Sequence, residues 1–140
     1  MGRPPRYRIA DTAQQIVGGF LLAGPFVVTE EVWNLAATMT LVHGIAAVAL
    51  VAAIGYGALY AADDDRDPDS EAEVAGVPIR FVSLMGVAFG SVTVLALLVA
   101  APDHFLAELP ADQHLPVMAR AISVGAIFSV VGAATADSVF

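Results

Sequence analysis

Residues 36–61 read AATMTLVHGIAAVALVAAIGYGALYA, and this stretch contains no aspartate, glutamate, lysine or arginine. A helix of about 20 apolar residues crosses the roughly 30 Å hydrocarbon core of a bilayer, and this stretch is longer than that. In hydrocarbon every backbone N–H and C=O must be paired inside the protein, which favours a helix. A strand of a membrane barrel would alternate polar and apolar residues, and this stretch does not. The sequence therefore predicts a transmembrane helix here.

Three further stretches have a similar length and apolar character: 12–33, 77–101 and 117–139. Together the four stretches predict an all-α fold, a polytopic four-transmembrane-helix bundle that forms one membrane domain over residues 1–140. An acidic loop, 62–76, would join the second span to the third.

The composition of the whole chain supports a membrane protein. Hydrophobic residues make up 58% of the 140 residues and charged residues only 14%, whereas a soluble domain carries about 25% charged residues. There is no cysteine, which excludes disulfides and thiolate metal sites. A net charge of −8 argues against nucleic acid as a partner, because no basic patch is available to replace phosphate counterions.

All six basic residues are arginines. An acidic, lysine-free chain is typical of a halophilic archaeon, and a high-GC genome would give the same bias. The arginines also predict the orientation, since cytoplasmic loops carry the excess of basic residues. Arg120 follows the third span and lies on one side. The other five precede the first span or lie in or beside the link between the second and third, and so lie on the opposite side: Arg3, Arg6, Arg8, Arg66 and Arg80. We therefore expect a multi-pass protein of the cell membrane with both termini in the cytoplasm.

The end of the first span carries a motif, GGFLLAGPFVVTEEVW over residues 18–33, in which a glycine-rich helix leads to Pro25 and then to Thr29, Glu30, Glu31 and Trp33. This motif resembles the DUF2391 family of small integral membrane proteins. The last stretch, GAIFSVVGAATADSVF over residues 125–140, is similar to the haloarchaeal branch of that family. The resemblance implies a multi-pass membrane fold and no particular chemistry.

Polar residues inside the spans are the candidate functional residues, because an ionisable group in the bilayer is costly. Residues four apart share one face of a helix. In the first span such a stripe is polar at both ends and small in the middle: Asp11, Gln15, Gly19, Ala23, Val27 and Glu31. This face would suit either a close helix partner or a narrow wet path.

Depth in the membrane predicts which charges meet. Arg120 is expected at the level of Glu30 and Glu31, near the outer surface. Asp137 is expected near the inner surface, at the level of Gln14 or Gln15, and paired with Arg80 or an N-terminal arginine. Pairing would lower the desolvation cost of each charge. The alternative is that these charges lie unpaired in headgroup water.

Small residues predict close helix packing, since they let helix backbones approach in lipid. Five positions are candidates: Gly19, Gly86, Gly90, Gly125 and Ser129. Pro25 frees one backbone carbonyl, either to line a pore or simply to tilt the helix. His43 would either relay protons or be a hydrogen-bonded packing residue.

Outside the spans the signals are weaker. The acidic run of residues 63–73 resembles a calcium loop but lacks its glycine, so a solvated loop is favoured. Asp103, His104, Asp112 and His114 are able to bind metals but lack a ligand spacing. We expect no metal, no cofactor and no enzyme activity, because no nucleophile–base pair is visible.

Two functions fit these patterns. The first is an oligomeric channel or carrier for monovalent cations or protons, with Glu30 and Glu31 as an acidic mouth. The alternative is a non-transporting scaffold or accessory subunit whose polar residues fix helix packing. In both cases the partners are the lipid bilayer and further copies of the chain in a homo-oligomer.

Overall fold

The structure, a computed structural model, describes residues 8–61, 73–74 and 76–139. Within those residues the chain forms a two-stranded hairpin and six helices: α1 (Ile9–Val27), α2 (Glu30–Thr38), α3 (Leu41–Tyr56), α4 (Ile79–Leu98), α5 (Ala101–Phe105) and α6 (Ala111–Val139). A π-helical turn, Gly57–Ala61, extends α3. The hairpin pairs β1 (Glu73–Val74) antiparallel with β2 (Val77–Pro78). The predicted all-α class is confirmed. Most of the acidic loop lies outside the described residues, as do Arg3, Arg6 and Arg66.

Three helices are long and apolar enough to cross a membrane: Leu41–Tyr60, Ile79–Leu98 and Ala111–Asp137. A fourth crossing is counted only if α1 and α2, which meet at a 79° bend, form one broken span. Two boundaries of these helices differ most from the sequence prediction, since α3 begins at Leu41 rather than at residue 36 and α6 begins at Ala111 rather than at residue 117.

The first predicted span is two helices rather than one. α1 continues through Pro25 and ends at Val27. The indole Nε1 of Trp33 donates a hydrogen bond to the Val27 carbonyl (2.9 Å), and the Thr29 hydroxyl donates to the Phe26 carbonyl (3.0 Å). The last carbonyls of a helix have no partner within it. The side chains of Thr29 and Trp33, which lie beyond the end of α1, therefore satisfy the carbonyls of Phe26 and Val27. These hydrogen bonds stabilise the break between α1 and α2.

α6 is the central helix of the bundle. It contacts α1, α2, α3 and α4. In the most apolar stretch of α6, 56% of the residues are buried, whereas in the corresponding stretch of α3 only 17% are buried. α3 therefore lies at the periphery of the bundle. We call the two ends of the bundle the hairpin end, where α1 and α4 begin and α6 ends, and the α5 end, where α4 ends and α6 begins.

The closest helix pair is α1 with α6, and glycines make it possible. A Cβ atom added at Gly18 would overlap the carbonyl of Gly132, and one added at Gly132 would overlap the carbonyl of Gly18. One turn away, the hydroxyl of Ser129 donates to the Gly19 carbonyl at 3.1 Å. Small residues thus allow backbone contact, as expected for helices that associate in lipid.

Two apolar clusters fill the interior on either side of this crossing. The cluster at the α5 end joins α1, α2, α4, α5 and α6 and includes Trp33, Leu106 and Val117. The cluster nearer the hairpin end joins α3, α4 and α6 and includes Val51 and Leu84. Polar side chains lie beyond the second cluster, where α1, α4 and α6 meet.

Candidate functional site

The candidate site is a buried group of charged and polar side chains at the hairpin end. Arg80, in the first turn of α4, is only 3% exposed. Its Nη1 donates to Oδ1 of Asp137 at 2.8 Å, and its Nη2 donates to Oδ2 of Asp11 at 3.4 Å. The Asp137 side chain is fully buried, whereas that of Asp11 is 21% exposed. One guanidinium therefore links the start of α1 to the end of α6.

Amide and hydroxyl groups extend this group along α1 and α4. Gln15 Nε2 donates to the second oxygen of Asp137 at 3.2 Å. Ser83 donates its hydroxyl to Gln15 Oε1 at 2.7 Å, and the hydroxyls of Thr12 and Ser83 lie 3.2 Å apart. Gln15 is fully buried, and both ends of its amide are paired, as a buried polar group requires. We call these six residues the polar cluster: Asp11, Thr12, Gln15, Arg80, Ser83 and Asp137.

Helix geometry explains how the sequence builds the polar cluster. Asp11 and Gln15 are four apart on α1, and Arg80 and Ser83 are three apart on α4, so each pair shares one face. Arg80 lies at a helix N-terminus and Asp137 in the last turn of a helix. At both places the helix dipole opposes the charge of the side chain. Their mutual ion pair offsets that effect in both helices.

The structure pairs Asp137 with Arg80, and Gln15 joins them, as their common depth predicts. The stripe on α1 also has a defined partner. Gln15, Gly19, Ala23 and Val27 are buried, and α1 contacts α4 and α6 of its own chain. This face therefore packs within the chain and does not line a wet path.

The expected pairing of Arg120 with Glu30 or Glu31 is wrong. Both glutamates are exposed in the first turn of α2, and among the described residues neither forms an ion pair with Arg120. The bend after α1 turns α2 towards α5, where Trp33 stacks on Phe105. Arg120 instead lies against α3.

His43 belongs to the N-terminus of α3 and not to a buried path. Its Nδ1 accepts a hydrogen bond from the backbone N–H of Thr40 at 3.0 Å, and its own N–H donates to the Thr40 hydroxyl at 3.4 Å. This reciprocal pair is a capping box, with histidine in place of the usual glutamate or glutamine. His43 is therefore hydrogen-bonded, as predicted, but its imidazole is exposed and does not pack between helices of the described chain.

The predicted packing residues divide into two groups. Gly19, Gly125 and Ser129 are buried at helix contacts, and a Cβ at Gly125 would lie 2.9 Å from Val92. Gly86 and Gly90 have open space beside them, with no atom within 4 Å of an added Cβ. Within the described chain these two glycines therefore make no close helix contact, and their predicted packing role stays a prediction.

A second polar site lies at the α5 end. The sequence did not predict that its residues lie together. Four polar residues from α2, α5 and the following loop line a cavity of about 360 Å³: Glu30, Asn34, His104 and Glu108. Trp33 and Phe105 also line it. Among the described residues no three histidine, aspartate or glutamate side chains are grouped to hold a metal ion. Only the bend between α1 and α2, which the sequence did not predict, brings Glu30 close to α5.

Comparisons with known proteins give no match to a protein-family model, a curated protein or a solved structure. The resemblance to the DUF2391 family thus stays a prediction.

Proposed function

We propose that this chain is a non-transporting membrane scaffold or accessory subunit, and that its polar cluster fixes how the helices pack. The observation that carries this proposal is the closure of the cluster inside one chain. Arg80 lies between Asp137 and Asp11, and Gln15 bridges Asp137 to Ser83. A buried polar group with its partners satisfied specifies an arrangement of helices.

The proposed topology has four crossings, with α1 and α2 as one broken span and both termini in the cytoplasm of a cell-membrane protein. It follows from the arginine distribution. The spacing of two charges along α6 also supports this topology. Arg120 and Asp137 are 17 residues apart. At about 1.5 Å per residue they are separated by about 25 Å along the helix. Each charge would then lie near one face of a hydrocarbon core of about 30 Å. Membership of the DUF2391 family remains part of this proposal.

Flux measurements test the scaffold. Purified protein is reconstituted in liposomes that carry a potassium or a proton gradient, and the decay of the gradient is followed by a fluorescent dye. We expect the decay to equal that of protein-free liposomes. A faster decay that scales with the amount of protein would overturn the scaffold.

An oligomeric cation channel or carrier is the second candidate, and the acidic cavity at the α5 end favours it. Glu30 and Glu108 line this cavity together, and rings of carboxylates select cations in pores. Such a channel would give cation flux that Glu30→Gln or Glu31→Gln reduces. Asp112→Asn is the matched control, because Asp112 is an exposed acid at the start of α6 and does not line the cavity.

We also propose a homo-oligomer, with the open face of α4 as its contact. Gly86 and Gly90 lie beside a groove of about 370 Å³ between α1 and α4. A helix of a second copy could approach such small residues closely. Light scattering in mild detergent should give the mass of two or more copies for the wild type and of one copy for Gly86→Leu. Gly57→Leu, at another open glycine, should keep the wild-type mass, and a monomeric wild type would refute the contact.

A further inference from the structure

A groove between α3 and α6 combines a long apolar wall with one arginine. Its volume is about 480 Å³, and its apolar lining includes Leu41, Ile45 and Val48 of α3 and Pro116 of α6. Leu41 and Ile45 are 72% and 61% exposed, so within the described chain nothing covers this wall. The groove is shaped to accept a chain of methylene groups rather than a polar ligand.

Among the residues that the structure describes, only two polar side chains line this groove, Arg120 and Ser123. The Ser123 hydroxyl donates to the Ala119 carbonyl at 2.9 Å, so it is satisfied within α6. Arg120 has no hydrogen-bond or ion-pair partner among residues 8–61, 73–74 and 76–139. The groove therefore contains a guanidinium that no anionic side chain of the described residues neutralises.

The position of Arg120 along α6 indicates which kind of anion can contact its guanidinium. Its Cγ lies 3.5 Å from where a Cβ of Gly44 would be, so its aliphatic stem packs along α3 near the N-terminus of that helix. The separation of about 25 Å from Asp137 along α6 places the guanidinium close to the opposite headgroup layer. Long basic side chains near helix ends extend towards that layer. The anions found there at high concentration are lipid phosphates.

We propose that this groove binds one anionic phospholipid, with an acyl chain along Leu41, Ile45 and Val48 and the headgroup phosphate on Arg120. A guanidinium matches phosphate geometry with paired hydrogen bonds, and basic pockets between membrane helices are known to bind anionic headgroups. The site depends on the proposed membrane insertion. It is independent of whether the chain is a scaffold or a channel.

Native mass spectrometry of delipidated protein in detergent tests the site. The probes are phosphatidylglycerol and phosphatidylcholine with identical acyl chains, so that only the headgroup charge differs. We expect the wild type to bind phosphatidylglycerol about tenfold more tightly than phosphatidylcholine, which corresponds to about 1.4 kcal/mol. Arg120→Gln should abolish this preference, whereas Arg120→Lys should retain most of it.

Matched variants separate the site from general effects of charge and folding. Arg8→Gln removes the same charge from an exposed residue at the hairpin end, and it should keep the full preference. Ala49→Phe, which fills the groove beside Val48, should weaken both lipids equally. Circular dichroism checks that each variant remains helical. An unchanged preference in Arg120→Gln, or a wild type without any preference, would overturn the proposal.

A second copy of the chain is the other conceivable occupant of the groove. In that case Arg120→Gln would convert an oligomer into a monomer, and phosphatidylglycerol would show no advantage over phosphatidylcholine. This result would also overturn the lipid site. The flux test of the scaffold would be unaffected by either result, so failure of one proposal is distinguishable from failure of the other.

Discussion

Removing the charge of Asp137 is the sharpest test of the polar cluster. Asp137→Asn preserves the size of the side chain and leaves an amide oxygen to accept from Gln15. It removes the charge at Oδ1 of Asp137, which lies 2.8 Å from Nη1 of Arg80. Asp11→Asn is the matched control, because it makes the same chemical change on a second carboxylate that contacts Arg80.

The two substitutions should differ in cost because the two ion pairs differ in burial. Breaking a buried ion pair by removing one partner costs about 3–5 kcal/mol. Asp11 remains beside Arg80, so we expect the lower end for Asp137→Asn, about 3 kcal/mol or a hundredfold in the folding equilibrium. The Asp11 contact is longer, at 3.4 Å, and its side chain is 21% exposed. Solvent screening reduces such a pair to about 1 kcal/mol or less.

Reversible unfolding in mixed micelles, followed by circular dichroism, measures these free energies. A double-mutant cycle with Arg80→Gln isolates the pair, and residues in one ion-pair network should couple by at least about 0.5 kcal/mol. Equal losses for Asp137→Asn and Asp11→Asn would refute the assignment of Asp137 as the buried anchor. A coupling of zero with Arg80→Gln would refute the ion pair itself.

Two further predictions concern the backbone. Trp33→Phe keeps an aromatic ring against Phe105 but loses the hydrogen bond to the Val27 carbonyl; the same unfolding assay should show a loss of about 1–3 kcal/mol, and no loss would mean that the indole does not stabilise the bend. Gly18→Ala places a methyl group on the Gly132 carbonyl and should cost about 1–3 kcal/mol through overpacking. Gly57→Ala, at an open glycine with helical backbone angles, should be neutral or stabilise by up to about 1 kcal/mol, and equal losses for Gly18→Ala and Gly57→Ala would contradict the α1–α6 contact.

The long apolar helices α3, α4 and α6 could be predicted from the sequence because their length and apolar composition are those that crossing a bilayer requires. The bend in the first span could not. Pro25 is the visible helix breaker, yet α1 continues for two residues beyond it, since a proline removes only one hydrogen bond of the ladder. The break depends on Trp33 and Thr29 reaching back to carbonyls of α1. That contact requires the folded geometry, and in the sequence Trp33 appears only as part of the motif over residues 18–33.

The two predicted charge pairs show what depth determines and what it leaves open. Residue spacing gives the level of each charge in the membrane, and Asp137 and Arg80 do meet at one level. The depth of a residue does not determine the direction in which its side chain points around the helix axis. Arg120 and Asp137 are 17 residues apart, about 4.7 helical turns, so they point about 100° apart around the axis of α6. Asp137 therefore faces α1 and α4, whereas Arg120 faces α3. Glu30 and Glu31 were predicted as partners of Arg120 from depth alone, and only the arrangement of helices around α6 shows that Arg120 lies in the groove between α3 and α6.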